Sequence, residues 1–304
     1  MRIISLISSA TEIISALGQK KNLVGISHEC DYPKDIQDLP VCTIPRFDIS
    51  GSSLQIDRDV KSLIQNALSV YRINENILKE LKPDIIITQS QCDVCAVSEK
   101  DVENALEHIL GINPLIISLQ PKNLGDIGED IKFVANSIGV PNEGAELSEK
   151  FERQLEKLKY FKRIKNKPTI ACLEWIEPLM YAGNWVPQMV EIAGGVNLFG
   201  QSGKHSSWSE YDTLIKSNPD KIILMPCGYD LNKTRSEIKP LLELSDWGML
   251  KAVKTNNIFI TDGNQYFNRP GPRLIDSIKI LIEIISEKNN LFGFEKKAWK
   301  RFST

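Results

Sequence analysis

Cys92 and Cys95 enclose Asp93 and Val94 in a C-x-x-C spacing, and Cys30 and Cys227 each stand just after an apolar run. Two thiols at that spacing, between a predicted strand and a predicted helix, can cycle as a redox pair or bind a soft metal. Cys30, His28 or Cys227 would complete a zinc or iron site. A four-cysteine structural zinc site usually shows a second close pair, and none is present; inert buried thiols are the third reading. Cys42 and Cys172 read as small core residues.

Other groups with binding chemistry sit at similar positions. His28 can ligate a metal or remain a solvated hydrogen-bonding residue. Trp175, Trp185 and Tyr229 offer large faces for a flat ligand, although Trp175 could simply cap a core. Trp208 and Trp247 read as packing residues under loops. Glu174 ends an apolar run and could turn its carboxylate to a ligand. Tyr266, Asn268, Arg269 and Arg273 precede a long helix, whose N-terminus with two guanidinium groups suits an anion; Arg273 could instead pair with Asp276. No paired carboxylates, nucleophile elbow or Ser-His-Asp arrangement is evident. Of the three histidines, His108 falls in a helical stretch and His205 on a loop. The inventory points to binding rather than catalysis.

These residues share a location. Ser27 to Pro33 follow Leu23–Ile26, and Gln89-Ser90-Gln91 and the cysteine pair follow Ile85–Thr88. Glu174-Trp175, Pro226–Asp230 and Asp262–Arg269 follow three further apolar runs. In open α/β sheets ligands bind at the carboxyl ends of strands, so these segments predict one shared cleft.

The elements alternate. Strands are predicted near 2–7, 23–27, 84–88 and 114–119, with helices near 10–18, 54–68, 74–81, 98–110 and 124–138. Such alternation indicates a mostly parallel sheet covered by helices. From 146 to 165 a charged stretch places Leu147, Phe151, Leu155, Leu158 and Phe161 at helical spacing. Strands near 169–174, 221–226 and 257–262 follow, with helices near 186–194, 209–217 and 272–288. The expected division is an α/β lobe over 1–143, a long linking helix over 144–167 and a second α/β lobe over 168–304. Residues 291–304, basic and aromatic, read as a tail on the surface.

Composition narrows the partners. A net charge of -2 over 304 residues, 25% of them charged, offers no polybasic field for nucleic acid. No apolar run approaches the ~20 residues of a membrane span. The first predicted strand begins at Arg2, which leaves no room for a secretory signal and predicts a cytoplasmic protein, or a periplasmic one whose leader was trimmed. Cysteines there should be mostly thiols.

Several segments resemble the helical-backbone (class III) ABC-type solute-binding proteins that serve importers of vitamin B12, haem and iron–siderophores. Ser9–Ile13, Leu17-Gly18 and Leu23–Ser27 leading to Asp31-Tyr32-Pro33 are similar to the opening of the B12-binding members. Leu81–Ile86 and Asn218–Ile223 resemble the strand entries of the two lobes, and Gly271–Leu274 the start of the last helix. The likeness covers nearly the whole chain and is strongest to a non-secreted branch usually called cobalamin-binding protein. In that branch His28–Pro33, Gln91–Cys95, Cys172–Trp175, Met225–Gly228 and Tyr266–Arg273 have counterparts.

The resemblance implies two Rossmann-like lobes joined by a long helix, with a bulky metal chelate between them, most simply cobalamin or a related corrinoid. It implies that His28, Glu29, Cys30 and Tyr32 lie on a loop entering the cleft, with Gln91, Glu174, Trp175, Trp185, Tyr229, Tyr266, Asn268 and Arg269 also lining it. Peripheral amides and the phosphate of a corrinoid would suit the arginines. An ABC permease is the implied partner if the protein is exported. The alternative is a cytosolic thiol-dependent metalloprotein or redox enzyme using Cys30, Cys92, Cys95 and Cys227.

Overall fold

The structure is a computed structural model that describes residues 1–66, 69–90, 97–107, 113–161, 166–288 and 290–303. Gln91, Cys92, Cys95 and His108 lie outside the described residues, as do the last positions of the helices predicted over 54–68, 98–110 and 146–165.

The chain divides into two compact units. One comprises Met1–Gly51, Gln55–Pro121 and Gly125–Phe151; the other comprises Ser52–Leu54, Lys122–Leu124 and Glu152–Thr304. In chain order the first half runs β1 (Ile3–Ser5), α1 (Ser8–Ala16), β2 (Leu23–Ile26), β3 (Thr43–Pro45), α2 (Ser53–Gln65) and β4 (Tyr71–Ile73). It continues through α3 (Glu75–Leu81), β5 (Ile85–Gln89), α4 (Glu99–Glu107), β6 (Leu115–Leu119), α5 (Leu124–Ser137) and α6 (Pro141–Lys159). β2, β1, β5 and β6 form a parallel sheet in that order. β3 and β4 form a separate antiparallel ribbon whose short strands carry too little alternation to be predicted. β5 is buried throughout, which is why it reads as a continuous β-branched run. Ile4, Leu6, Val70, Leu78, Ile86 and Val102 belong to the core against this sheet.

The long helix differs from its prediction at both ends. It begins at Pro141, where a ring lacking an N–H costs nothing in the first turn, and ends at Lys159. It therefore includes Gly144, where a Cβ would stand 2.3 Å from the Ala135 Cβ of α5; the glycine allows the two helices to approach. Phe161 lies beyond the helix and stacks obliquely on Phe292, ring centres 5.3 Å apart.

The second half runs β7 (Thr169–Trp175), β8 (Met180–Tyr181), α7 (Val186–Ile192), β9 (Val196–Asn197), β10 (Ser207–Trp208), α8 (Tyr211–Ser217) and β11 (Lys221–Leu224). It closes with α9 (Leu231–Ser236), α10 (Lys239–Leu242), α11 (Lys251–Lys254), β12 (Ile258–Thr261), α12 (Gly263–Tyr266), α13 (Leu274–Ser286) and β13 (Trp299–Arg301). The sheet order is β10-β8-β7-β11-β12-β13, with β9 also on β7. β7, β11 and β12 are parallel, while β8, β10 and β13 are antiparallel additions. The C-terminal segment is thus no surface tail. β13 extends the sheet, Trp299 is buried, and the fully buried Glu283 of α13 accepts its indole N–H at 2.6 Å and the Phe292 N–H at 2.5 Å. Trp247 packs in the core as expected, whereas Trp208, on the edge strand β10, is 55% exposed.

Both halves use one device at the head of their sheets. Lys82 and Asn218 end α3 and α8 in the left-handed region, and each is followed by a proline that prevents continuation. The next residue is an aspartate. Asp84 accepts the Arg2 N–H at 2.6 Å, and Asp220 accepts the Thr169 N–H at 2.7 Å. Each carboxylate thereby fixes the start of β1 or β7.

Candidate functional site

The carboxyl edge of the second unit's sheet gathers most of the predicted binding residues. β7 ends in Glu174-Trp175, and the turn after β11 returns to it through Cys227, whose N–H donates to the Glu174 carbonyl at 3.2 Å. This turn places Tyr229 beside Trp175, ring centres 5.2 Å apart and tilted by 48°. The segment after β12 is tied to the same turn. Asn264 N–H donates to the Tyr229 carbonyl at 3.1 Å, and the Asn268 amide donates to the Met225 and Gly263 carbonyls at 3.1 and 2.9 Å. Gly263 makes this crossing possible, since a Cβ there would lie 2.2 Å from the Pro226 carbonyl oxygen.

Electrostatics distinguish the members of this group. The Glu174 carboxylate accepts the Ser206 hydroxyl at 2.8 Å, and Ser206 in turn accepts the Gly183 N–H at 3.0 Å. Tyr229 is only 3% exposed, and its hydroxyl has no hydrogen-bond partner among the described residues. Burial, then the charges of Glu237 and Cys227, push that phenol above its ordinary range. Lys233 stands 5.4 Å from the Tyr229 ring centre and 3.4 Å from Glu237. Tyr266 meets Phe294 edge-on, with the Arg273 guanidinium 4.9 Å from its ring centre. Asp276 pairs with Lys279 at 2.9 Å. Arg269 is buried. A half-buried indole, a buried phenol, a positioned carboxylate and arginines can together hold a flat ligand carrying polar groups.

Two residues expected to line the cleft make internal hydrogen bonds. Trp185 is 6% exposed and donates its indole N–H to the Phe267 carbonyl at 2.8 Å. That bond ties the buried Trp185 to the segment after α12. Asn268 likewise spends its amide on backbone carbonyls.

In the first unit the loop after β2 is held against α1 and the ribbon. His28 Nδ1 shares a 2.7 Å hydrogen bond with the Thr43 hydroxyl, and the His28 ring lies 5.1 Å from that of Tyr71. His28 Nε2 is 3.3 Å from a Glu29 carboxylate oxygen but off hydrogen-bonding geometry. Ser8 donates to the Glu29 carbonyl at 2.7 Å. Tyr32 is 41% exposed. His28 is therefore a part-buried, partnered residue rather than a lone surface histidine.

The cysteines separate in the same way. Cys30 is buried, with its sulfur 3.1 Å from the Thr11 hydroxyl, so it fills the core rather than standing at an open strand end. Cys42 and Cys172 are buried as predicted, and burial pushes the Cys42 thiol up to about 12. Cys227 is partly exposed. Among the described residues no group of three or more His, Cys, Asp or Glu side chains is placed to hold a metal ion.

Ser206, Lys233 and Thr43 escaped the sequence reading. For Lys233 a signal existed: Asp230 caps α9 by accepting the Lys233 N–H at 2.7 Å, and a cap at Asp230 predicts that Lys233 turns back toward Tyr229. Thr43 and Ser206 reach their partners across 15 and 32 positions of chain, and local sequence carries no trace of such pairings.

Known proteins support this architecture. A vitamin B12-binding protein of Vibrio cholerae serotype O1 is 23% identical over 292 residues, covering 91% of this chain and 86% of its own. The solved periplasmic haem-binding protein RhuT of Roseiflexus sp. RS-1 matches with a TM-score of 0.70 at 22% identity, covering 94% of this chain and 98% of its own. The periplasmic vitamin B12-binding protein BtuF of Vibrio cholerae matches with a TM-score of 0.64 at 20% identity, covering 94% and 96%. The two-lobed α/β fold with parallel sheets is the one these structures share. The sequence model described as periplasmic binding protein matches residues 3–265, and with that span inside one family pattern, the chain belongs to the periplasmic binding protein family of solute-binding proteins.

Proposed function

We propose that this protein binds a corrinoid, with the flat chelate set against the carboxyl edge where Trp175 and Tyr229 meet. The observation that carries the reading is the Tyr229 hydroxyl, buried and without a partner among the described residues beside a half-buried indole. A buried hydroxyl without a hydrogen bond costs free energy, and a ligand amide would satisfy it. Glu174, held by Ser206, supplies an acceptor for ligand amides, and Arg273 a donor for the phosphate. Relatives named for vitamin B12 support a corrinoid, and the haem-binding structures support the same class of flat metal chelate.

The test is an absorbance and calorimetric titration with cyanocobalamin, dicyanocobinamide and hemin. Saturable binding of a corrinoid at micromolar protein, with hemin weaker, is expected. Hemin alone binding would transfer the proposal to haem, and no binding of any of them would end it.

We further propose capture and handover inside the cell. No disulfide joins the four described cysteines, as suits a reducing compartment. Fractionation of the producing cells checks this: recovery with cytoplasmic markers is expected, whereas recovery with exported proteins would point to delivery to an ABC permease.

A further inference from the structure

We infer a second binding site, on the first unit, for a small phosphate monoester with a compact apolar body. It is an open cavity of about 350 Å³ between the β3–β4 ribbon and α2, lined by Ile44, Pro45, Arg46, Leu63 and Arg72. All of these residues belong to the first unit, whereas Trp175 and Tyr229 belong to the second. The inference therefore does not rest on the corrinoid reading.

The ribbon builds the site. Side chains alternate along a strand. β3 and β4 bury Thr43, Tyr71 and Ile73, while Ile44 and Arg72, paired in register, stay exposed on the other face. The ladder continues through the Arg46 N–H, which donates to the Val70 carbonyl at 3.0 Å. Arg46 is thus the diagonal neighbour of Arg72, about 7–8 Å away across the ribbon, and both reach the cavity. Leu63, in the last turn of α2, completes the apolar wall.

The two charges are not used inside the molecule. Among the described residues neither guanidinium makes an ion pair or a hydrogen bond. The carboxylates nearest in sequence serve other groups: Asp48 accepts the Ser50 hydroxyl at 2.6 Å, and Asp57 pairs with Lys61 at 2.8 Å. Asp59, one turn before Leu63, pairs with neither arginine. Unneutralised cations at this spacing repel each other, and a bound anion removes that cost.

The lining selects the anion. A guanidinium is always charged, and its fork of donors matches phosphate. Two of them balance a phosphate monoester, which carries a charge of about -1.5 to -2 at neutral pH and three acceptor oxygens; a carboxylate balances only one. Ile44, Pro45 and Leu63 cover an apolar body. The cavity lies at the small end of the roughly 300–1,000 Å³ range of ligand pockets, which suits a single ring rather than a peptide or a lipid.

The test is calorimetric titration of the full chain with phenyl phosphate, inorganic phosphate and benzoate. Saturable binding of phenyl phosphate is expected, with the other two about tenfold weaker or more. Arg46→Gln and Arg72→Gln should each weaken phenyl phosphate about tenfold. Ile44→Ser should weaken phenyl phosphate several-fold and leave inorganic phosphate unchanged. All three positions are exposed, and thermal melting, expected to be unchanged, shows that each variant is folded. No binding of phenyl phosphate, equal binding of inorganic phosphate or benzoate, or unaffected variants would each overturn the inference.

Discussion

Tyr229 separates binding from stability at the level of one atom. Its ring packs on Trp175, but its hydroxyl is buried and makes no hydrogen bond among the described residues. Tyr229→Phe should therefore leave the melting temperature unchanged or raise it slightly, since the desolvated hydroxyl contributes a cost of about 1 kcal/mol. The same change should weaken corrinoid binding about fivefold, because a hydrogen bond supplied by the ligand is typically worth about 1 kcal/mol. Calorimetry on the wild type and variant reads both. A large loss of stability would show that the hydroxyl is bonded in the free protein. Residue type alone nominated Tyr229 and Trp175, because large aromatics at strand ends are visible in sequence. That Trp185 would turn inward to Phe267 was not legible, since an indole N–H finds its acceptor across 82 positions of chain.

At the level of elements, one carboxylate fastens the C-terminal segment to the second sheet. Glu283 receives the Phe292 N–H and the Trp299 indole N–H in a fully buried position. Glu283→Ala would strand both donors, and a loss of about 3 kcal/mol is expected in urea unfolding. Glu283→Gln, which keeps an acceptor, should cost less. Asp220 performs the equivalent task for β7. Burial alone would raise its carboxyl, but the Lys251 hydrogen bond and the Thr169 contacts outweigh burial and hold it below the ordinary range. A depressed pKa contributes stability above the unfolded value that is lost as pH falls through the folded one. Asp220→Ala should therefore lower stability at neutral pH by about 1–3 kcal/mol and flatten the acid limb of the pH–stability curve. Helix ends of this kind were readable from Lys82-Pro83-Asp84 and Asn218-Pro219-Asp220. β13 was not, because Trp299-Lys300-Arg301, one aromatic and two basic residues, carries no strand alternation until a neighbouring strand edge is there to receive it.

For the whole molecule, the pH dependence of unfolding has a conspicuous contributor of the opposite sign to Asp220. Asp130 in α5 is raised to about 7 by burial and then by the charge of Asp126, and one of its oxygens is buried without a hydrogen bond among the described residues. A raised carboxyl favours the folded state at low pH, and that stability is lost as pH climbs from about 4 to about 7. Asp130→Asn should therefore raise stability at pH 7 by about 2 kcal/mol and have little effect near pH 4. Melting curves across that range decide the point, and equal effects at both ends would refute the assignment. Charge is also unevenly placed, since a chain of net -2 concentrates cations around Lys157–Lys167.

The alternation of strands and helices, the two-lobed α/β class and the gathering of unusual side chains after strands were determined by the sequence itself. Hydrophobic period and proline or glycine punctuation act locally and survive without the fold. Tertiary structure alone decided which nominated residues remain available. It buried Cys30 against Thr11, spent Trp185 on Phe267, gave Thr43 to His28 and left the Tyr229 hydroxyl without a partner among the described residues. Those outcomes depend on groups distant in sequence arriving within about 3 Å of one another, a distance at which hydrogen bonds form and which no local pattern encodes.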